Sequence, residues 1–243
     1  MTDLRVDVVA EADSDSRAAD ALRLRLDAPA RRNALTLSTV QHLHQTLTDE
    51  PTRTLLLGST TTGIFSSGAD LDVDDATRAQ LSDLLYASYE LMLVRPGVTI
   101  AVVEGAAVGG GAQLTTACDL RTASAGARWR WVGPGHGLAV GAWILPSLVG
   151  RARALDLCLT SRWLLADEAV IAGLLPRLDE DPWKAAMAAA ASLATADSAA
   201  VARVKRVAGA IQLLVSLRME REENYAGWSG AAPRARRGDT RGS

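Results

Sequence analysis

Three consecutive glycines, Gly109 to Gly111, separate an apolar run from a stretch of small residues in EGAAVGGGAQLTTACDL. A second glycine-containing segment, SSGAD at residues 66–70, follows the apolar run LLLGS. Glycine lets a ligand approach the backbone closely because it has no side chain. Adjacent parallel strands end side by side, so one N–H group from each loop can point at the same oxygen. The two loops therefore predict an oxyanion hole made of backbone donors.

Other catalytic motifs fit the sequence poorly. The triple-glycine loop lacks the Lys-Ser/Thr pair of a phosphate-binding loop, and FSSGAD is not a G-x-S-x-G nucleophile elbow. His42 and His44 are two residues apart on a predicted helix and point in different directions, and His136 is remote in sequence. The three histidines therefore predict no metal site.

Hydrophobic periodicity predicts the elements that position the two loops. Strands are predicted where apolar residues alternate with charged ones or form short runs: residues 21–29, 53–59, 98–105 and 119–124. Helices are predicted at residues 37–47, with Ser38 as the N-cap, at 76–93 and at 112–118. Strands that alternate with helices predict an α/β fold whose sheet is covered on both faces.

The chain divides by composition into three parts. We expect a core domain at residues 1–180, a helical region at 181–228 that is rich in alanine at its start, and a basic tail at 229–243 that lacks a core and is disordered. The net charge of −2 gives no general attraction to nucleic acid or anionic membranes. Cys118 and Cys158 lie in apolar or small-residue runs, which suits a reducing compartment.

Neither a signal peptide nor a membrane-spanning segment is predicted. The first residues lack a basic stretch followed by an apolar run, and apolar stretches stay below the roughly 18 residues that a spanning helix needs. We expect a soluble cytoplasmic protein that binds neither nucleic acid nor membranes.

Five segments, taken in order, resemble the crotonase (enoyl-CoA hydratase/isomerase) superfamily over roughly residues 20–225. They are ARRNALTL, FSSGADL, VEGAAVGGGAQLTTACDLRTAS, LPSLVGRARALDLCLTSRWLLADEAVIAGLL and VARVKR. The resemblance implies a spiral of βαβ units with C-terminal helices that build homotrimers or hexamers. It also implies an acyl-CoA thioester as substrate, with coenzyme A as part of that substrate and no other cofactor.

The resemblance assigns roles to several residues. The amides of Ala69 and Gly110 are expected to hold the thioester oxygen and to stabilise an enolate. Arg31 and Arg32 fall where the family contacts CoA phosphate or adenine, although solvated charges at a strand end explain them equally well. The remaining residues expected to line the ligand site are Ala34, Gly68, Asp70 and Leu71; Asp70 and Asp119 are expected to be mainly structural.

The sequence departs from the family where hydratases carry two catalytic glutamates. Gln113 stands at the first position, and an amide cannot exchange a proton near neutral pH. Gly135 stands at the second if Pro134 is aligned with the family's proline. His136 is the candidate substitute proton carrier, since imidazole titrates near neutral pH, although a loop histidine without a catalytic role is the alternative.

Several further side chains near these loops have two interpretations each. Trp129, Trp131 and Trp143 either wall an acyl pocket or pack in the core or at a trimer contact. Glu90 is a weak catalytic candidate, and Asp72, Asp74 and Asp75 fit the solvated start of a helix better than a pocket.

Three functional hypotheses follow. The first is an acyl-CoA enzyme of this family, a lyase or isomerase with altered chemistry. The second is a non-catalytic acyl-CoA-binding or partner subunit that keeps the fold. A scaffold without a ligand is the least favoured, because it leaves the two glycine loops unexplained.

Overall fold

The structure, a computed structural model, describes residues 3–8 and 21–228. Its strands are β1 (Leu4–Val8), β2 (Leu22–Leu26), β3 (Leu55–Ser59), β4 (Ile64–Ser66), β5 (Thr99–Val103), β6 (Ala106–Val108), β7 (Leu120–Ala123), β8 (Arg128–Arg130) and β9 (Leu164–Leu165). Its α-helices are α1 (Leu37–Asp49), α2 (Asp75–Val94), α3 (Gly110–Ala117), α4 (Leu145–Val149), α5 (Arg151–Thr160), α6 (Ala166–Ala172), α7 (Pro182–Ala194), α8 (Ser198–Lys205) and α9 (Ile211–Trp228). The tail predicted to be disordered lies outside the described residues.

The strands form two sheets that the chain visits in turn. The larger sheet has the order β1-β2-β3-β5-β7, parallel except for β1, and the smaller has the order β4-β6-β8-β9, parallel except for β9. From β3 to β8, odd strands enter the larger sheet and even strands the smaller, with α2 and α3 closing the first two coils. The predicted α/β class and spiral of βαβ units are confirmed.

Two local predictions were wrong. Helix α1 is capped by Thr36, whose side chain accepts a hydrogen bond from the Thr39 amide, so the predicted cap Ser38 lies inside the first turn. The apolar run at 98–105 was predicted to lead directly into the glycine triplet, but β5 ends at Val103 and the short strand β6 intervenes. The chain changes sheets at Gly105, where a Cβ atom would stand 2.1 Å from the Gly63 carbonyl oxygen.

The main core lies inside the spiral. Its apolar side chains come from the larger sheet, from α1 and α2, and from the segments that follow β8. The outer face of the larger sheet is covered by α7, where Ala186 and Ala190 pack with Ile100 and Val102 of β5. Both faces of this sheet are therefore buried, which explains why β5 is apolar throughout.

The C-terminal helices contact the core at defined points. Lys205, at the end of α8, forms a salt bridge of 2.9 Å with Asp119 and donates to the Gly97 carbonyl oxygen over 2.8 Å. Helix α9 then packs along α2. In the part of the chain that the structure describes, no single helix is long and apolar enough to cross a membrane. Taken together, α7 and residues 198–209 have the length and composition of a spanning segment, but the two helices are bent by 116° relative to each other.

Candidate active site

The first glycine loop follows β4 and is fixed by Leu35. The Leu35 amide donates to the Gly68 carbonyl oxygen over 2.8 Å, and the Asp70 amide donates to the Leu35 carbonyl oxygen over 2.9 Å. The amide between them, that of Ala69, donates to no other described residue. Gly68 has φ of +98°, which an L side chain rarely adopts. The loop thus exposes one backbone donor and holds it in place from both sides.

The second glycine loop follows β6, the parallel neighbour of β4, and opens α3. Gly109 has φ of +51°, and its amide donates to Arg130 over 2.8 Å. Its carbonyl oxygen accepts from the Gln113 amide, as the N-cap of a helix does. The amide of Gly110, the first helical residue, has no acceptor among the described residues. It is also at the positive end of the helix dipole, which favours negative charge.

The two free amides lie close together. A Cβ atom on Gly110 would stand 3.6 Å from the Ala69 nitrogen, and one on Gly68 would stand 3.6 Å from the Gly110 nitrogen. The same Gly110 Cβ would touch Leu35 and Leu85 at ordinary contact distances. Two backbone donors therefore face a small space with apolar walls, and this space exists because neither glycine has a side chain. Such a pair can stabilise negative charge on one ligand oxygen.

Asn33, which the sequence reasoning missed, fixes the first loop from behind. It is 1% exposed, and its side chain accepts from the Ala28 amide over 2.8 Å and donates to Ser59 and to the Phe65 carbonyl oxygen. Its own carbonyl oxygen accepts from Ser66 over 2.7 Å. The only indication in the sequence was its place in ARRNALTL, but in that segment we assigned a role to the two arginines, as CoA contacts, and none to the asparagine.

Gln113 is buried and locked by a tryptophan. It is 4% exposed, and its Oε1 accepts a hydrogen bond of 2.7 Å from the indole nitrogen of Trp143. Trp143 stacks on Tyr89, with ring centroids 6.0 Å apart, and the Tyr89 hydroxyl donates to the Gly110 carbonyl oxygen over 3.2 Å. Gln113, Trp143, Tyr89 and Gly110 therefore form one continuous cluster. Trp143 borders the candidate site.

The other two tryptophans are buried in the core. Trp129 is buried and donates from its indole nitrogen to Thr115 over 3.0 Å. Thr115 lies in the C-terminal half of α3, whereas the glycines are at the N-terminus of that helix. The indole nitrogen of Trp131 is buried without a hydrogen-bond partner, and its ring packs against Gly141. Core packing therefore accounts for Trp129, whereas Trp131 lies under the loop that leads to Trp143.

Helix α9 contributes two buried polar residues that the sequence reasoning missed. Glu220 accepts from the Tyr86 hydroxyl at 2.8 Å, from the Trp143 amide at 2.9 Å and from the Gly141 amide at 3.2 Å. Asn224 bonds the Tyr86 hydroxyl and both backbone groups of Ala139. Burial raises the pKa of the Glu220 carboxyl although its hydrogen bonds oppose that shift. Both residues lie in MEREEN, a charged run typical of a solvated helix.

No described hydrogen bond or ion pair joins the predicted proton carrier, His136, to the amide pair. His136 ends a short 3-10 turn, Pro134–His136, and no hydrogen bond or ion pair connects its ring to another described residue. A Cβ on Gly135 would have no neighbour within 4 Å. Glu90 pairs with Arg218 of α9 at the surface.

The acidic residues after the first loop hold local structure. Asp74 caps α2 by accepting from the Thr77 amide over 2.9 Å, and the Asp70 carboxylate accepts from the Asp72 amide over 3.0 Å. Asp75 pairs with Arg78. Asp119 accepts from the Thr99 amide and hydroxyl as well as from Lys205.

The residues expected to bind CoA lie in the first glycine loop or in the segment at residues 31–34 that is hydrogen-bonded to it. Arg31 and Arg32 are exposed; Arg31 pairs with Asp3, whereas Arg32 pairs with no carboxylate in the described ranges. Ala34 is half-buried, and its amide donates to the Arg31 carbonyl oxygen. Leu71 is 41% exposed. An unpaired cation and an exposed apolar side chain thus flank the loop that carries Ala69.

A cavity of about 240 Å³ lies elsewhere, and several of the polar groups that line it have hydrogen-bond partners. Thr60 bonds Asp27, Ser59 bonds the backbone of Thr61, and Glu104 accepts from the Trp183 indole. We place the functional site at the amide pair because its donors, unlike these groups, lack partners. Nowhere in the described ranges do three or more His, Cys, Asp or Glu side chains cluster as a metal site.

Comparison with known proteins places the chain beside one family. The sequence profile described as enoyl-CoA hydratase/isomerase matches residues 17–216. "Probable enoyl-CoA hydratase echA6" of Mycobacterium leprae is 32% identical over 74% of this chain and 77% of its own length. The protein of that name from Mycobacterium tuberculosis is 34% identical over 71% of this chain and 74% of its own length.

Solved structures of proteins with enoyl-CoA hydratase names have a similar fold. An enoyl-CoA hydratase from Bacillus halodurans superimposes with a TM-score of 0.80 at 22% identity, over 94% of this chain and 96% of its own. At this identity the likeness concerns the fold alone. An enoyl-CoA hydratase/isomerase from Pseudoalteromonas atlantica superimposes with a TM-score of 0.79 at 25% identity, over 95% and 93% of the two chains.

Proposed function

The chain belongs to the enoyl-CoA hydratase/isomerase family, and from this premise we propose that it binds an acyl-CoA thioester and stabilises its enolate. The thioester oxygen lies between the amides of Ala69 and Gly110. Negative charge grows on that oxygen when the α-carbon loses a proton or a leaving group. Two fixed donors stabilise the enolate more than the neutral thioester, and this difference is what accelerates a reaction.

One observation carries the proposal: the two amides without acceptors lie beside the same small space. Buried or half-buried backbone donors normally have partners, so a pair without them is expected where a ligand supplies the acceptor. A single donor of this kind contributes about 2.7–4 kcal/mol to a transition state in acyl chemistry. The amide pair therefore accounts for both binding and rate enhancement.

The chemistry differs from ordinary hydration. Hydration needs a base to activate water and an acid to protonate the α-carbon, whereas Gln113 is locked by Trp143 and Gly135 has no side chain. We expect very weak or no hydration of crotonyl-CoA. Reactions that rest on enolate stabilisation and need only one substitute proton carrier fit better; these are decarboxylation, thioester hydrolysis, carbon–carbon cleavage or isomerisation of an acyl-CoA.

The second candidate is a non-catalytic acyl-CoA-binding or partner subunit. It is favoured by the position of His136, which no described contact joins to Ala69, Gly110 or Gln113. Without that imidazole, the cluster of Gln113, Trp143, Tyr89 and Gly110 holds neither a carboxylate nor an imidazole of its own. The same amide pair then binds a thioester without turning it over.

One assay separates the two candidates. The protein is incubated with enoyl-, 3-oxoacyl- and malonyl-type CoA esters, which are followed by mass spectrometry, while binding is measured by calorimetry. Product formation supports the enzyme, and binding without turnover supports the subunit. Absence of both for every ester would refute the proposed site.

A matched pair of glycine substitutions tests the amide pair directly. In Gly110→Ala the new methyl makes only ordinary contacts, yet it fills the space 3.6 Å from the Ala69 nitrogen. We expect a folded protein whose binding or turnover falls by about 100-fold, as when an oxyanion donor is lost. Gly126→Ala adds the same methyl between β7 and β8 and should bind normally. Equal effects in both variants would contradict the site.

We also propose a homotrimer or hexamer built through α8 and α9. Large apolar side chains are exposed on both sides of the kink at Gly209: Val204 and Val207 before it, and Ile211, Val215 and Met219 after it. Several exposed large apolar side chains in one region are typical of an interface between proteins. These side chains lie on the region that the family uses for assembly.

A further inference from the structure

Gln113 has a fixed orientation because its hydrogen-bond partner can act in only one way. The indole N–H of Trp143 is a donor and never an acceptor. The atom of Gln113 that lies 2.7 Å from it must therefore be the carboxamide oxygen. The amide nitrogen of Gln113 is left as the second group of the side chain, and it donates to no other described residue.

Trp143 is itself held from two sides. Its backbone amide donates to Glu220 over 2.9 Å, and its ring stacks on Tyr89 at an interplanar angle of 22°. The bond to α9 fixes the backbone of Trp143, and turning the indole away would break its stacking on Tyr89 and its bond to Gln113. Trp143 acts as a positioning residue, since it touches Gln113 and fixes which end of the carboxamide is free.

Gln113 belongs to the helix whose first residue carries one amide of the pair. Gly110 and Gln113 are three residues apart on α3, so they share a side of the helix and are separated by about 4.5 Å along its axis. Trp131 is buried in the core, where its ring packs against Gly141, two residues before Trp143.

We propose that Gln113, oriented by Trp143, donates a hydrogen bond to an oxygen on the β-carbon of the acyl chain and so selects 3-oxoacyl-CoA thioesters over unsubstituted acyl-CoA. The inference rests on the proposed function, because it places the thioester oxygen at Ala69 and Gly110. A 3-oxoacyl thioester carries its second carbonyl two carbons from the first, which suits donors one helical turn apart. An unsubstituted chain leaves the carboxamide nitrogen without an acceptor.

The test compares two ligands that differ only at the β-carbon, 3-oxobutanoyl-CoA and butanoyl-CoA. We expect the wild-type protein to bind the 3-oxo compound about fivefold more tightly, the difference that one net hydrogen bond makes. Gln113→Leu keeps a side chain of similar size and removes the donor. We expect this variant to bind 3-oxobutanoyl-CoA no more tightly than butanoyl-CoA, while butanoyl-CoA still binds. Gln113→Glu should bind butanoyl-CoA more tightly than 3-oxobutanoyl-CoA, because a carboxylate can accept from Trp143 but repels a second carbonyl oxygen.

Trp143→Phe tests the positioning role. This variant keeps an aromatic ring on Tyr89 but frees the carboxamide to rotate, so we expect the ratio of the two affinities to fall toward one with little change for butanoyl-CoA. A change that lowers the affinity for both ligands equally would indicate packing damage and contradict a positioning role. Equal wild-type affinities for the two esters would overturn the inference and leave the proposed function standing, whereas failure to bind either ester would refute the proposed function itself.

Discussion

Gly68 and Val108 bring the two glycine loops into contact: a Cβ atom on Gly68 would stand 2.9 Å from the Val108 carbonyl oxygen. The contact joins the loop after β4 to the end of β6, and both loops carry one of the free amides. The distance between those amides therefore depends on a backbone-to-backbone approach that only glycine permits at this position.

Gly68→Ala should destabilise the protein and disturb the site. The new methyl would meet a backbone oxygen and force an L residue into φ of +98°, which together lower the free energy of unfolding by about 2 kcal/mol or more. Urea unfolding measures this loss. Gly63→Ala is the matched control, because φ is +73° there but nothing lies within 4 Å of the added methyl. A loss no larger than in the control would show that the loop contact does not matter.

Arg32→Ala should weaken CoA binding. The Arg32 guanidinium is exposed and has no carboxylate partner among the described residues, so it is available to a phosphate. We expect an affinity loss of about threefold at low ionic strength that disappears at high salt, as surface charge interactions do. Titration calorimetry with an acyl-CoA and with the corresponding acyl-pantetheine, which lacks the nucleotide, provides the measurement.

Arg31→Ala is the comparison for Arg32. Because Arg31 already pairs with Asp3, its removal should cost less affinity than removal of its neighbour. An equal loss for acyl-CoA and acyl-pantetheine in Arg32→Ala would mean that the arginine supports the loop and not the nucleotide.

Ile211→Asp should dissociate the proposed oligomer. Ile211 is 69% exposed within one chain, so a charge there costs little in the isolated subunit but is expensive when buried between subunits. Light scattering after size-exclusion chromatography should show monomers for this variant and trimers or hexamers for the wild type. Gln41→Asp, on the exposed side of α1, should leave the assembly intact. A monomeric wild-type protein would end the assembly proposal.

Glu220 should make stability depend on pH. Burial raises the pKa of its carboxyl above the ordinary value near 4.5, so the folded protein holds this proton more tightly than the unfolded chain. The resulting stabilisation is complete below the ordinary pKa and is lost as the pH rises through the folded pKa. The free energy of unfolding should therefore fall over that interval by more in the wild type than in Glu220→Gln.

Chemical denaturation at a series of pH values measures this difference. Glu180→Gln, which removes an exposed carboxylate, should keep the wild-type pH dependence. Parallel curves for the wild type and Glu220→Gln would contradict a buried proton at Glu220.

The spiral and the glycine loops were predictable because they depend on local patterns. Apolar runs defined β3 and β5, and glycines in fixed order after them indicated where a ligand meets the backbone. The three-residue strands β4 and β6 were missed, since so short a run shows no periodicity. They matter because the loops leave from these strands and not from β3 and β5.

The rest of the candidate site depends on contacts between distant parts of the chain. Trp143 is 30 residues from Gln113, and Glu220 is 77 residues from Trp143. In sequence Glu220 looks like any charged residue on a solvated helix, because only the docking of α9 buries it. Asn33 was hidden for the same reason: its side chain joins segments that approach one another only in the folded spiral.

The bonds from α9 to the loop at Ala139, Gly141 and Trp143 also set an order for biosynthesis. A nascent polypeptide emerges from the ribosome with both glycine loops long before α9. The loop that carries Trp143 lacks its hydrogen bonds to α9 until Glu220 and Asn224 have left the exit tunnel. The proposed selectivity for the acyl chain thus depends on a helix that is synthesised after the two loops proposed to hold the thioester.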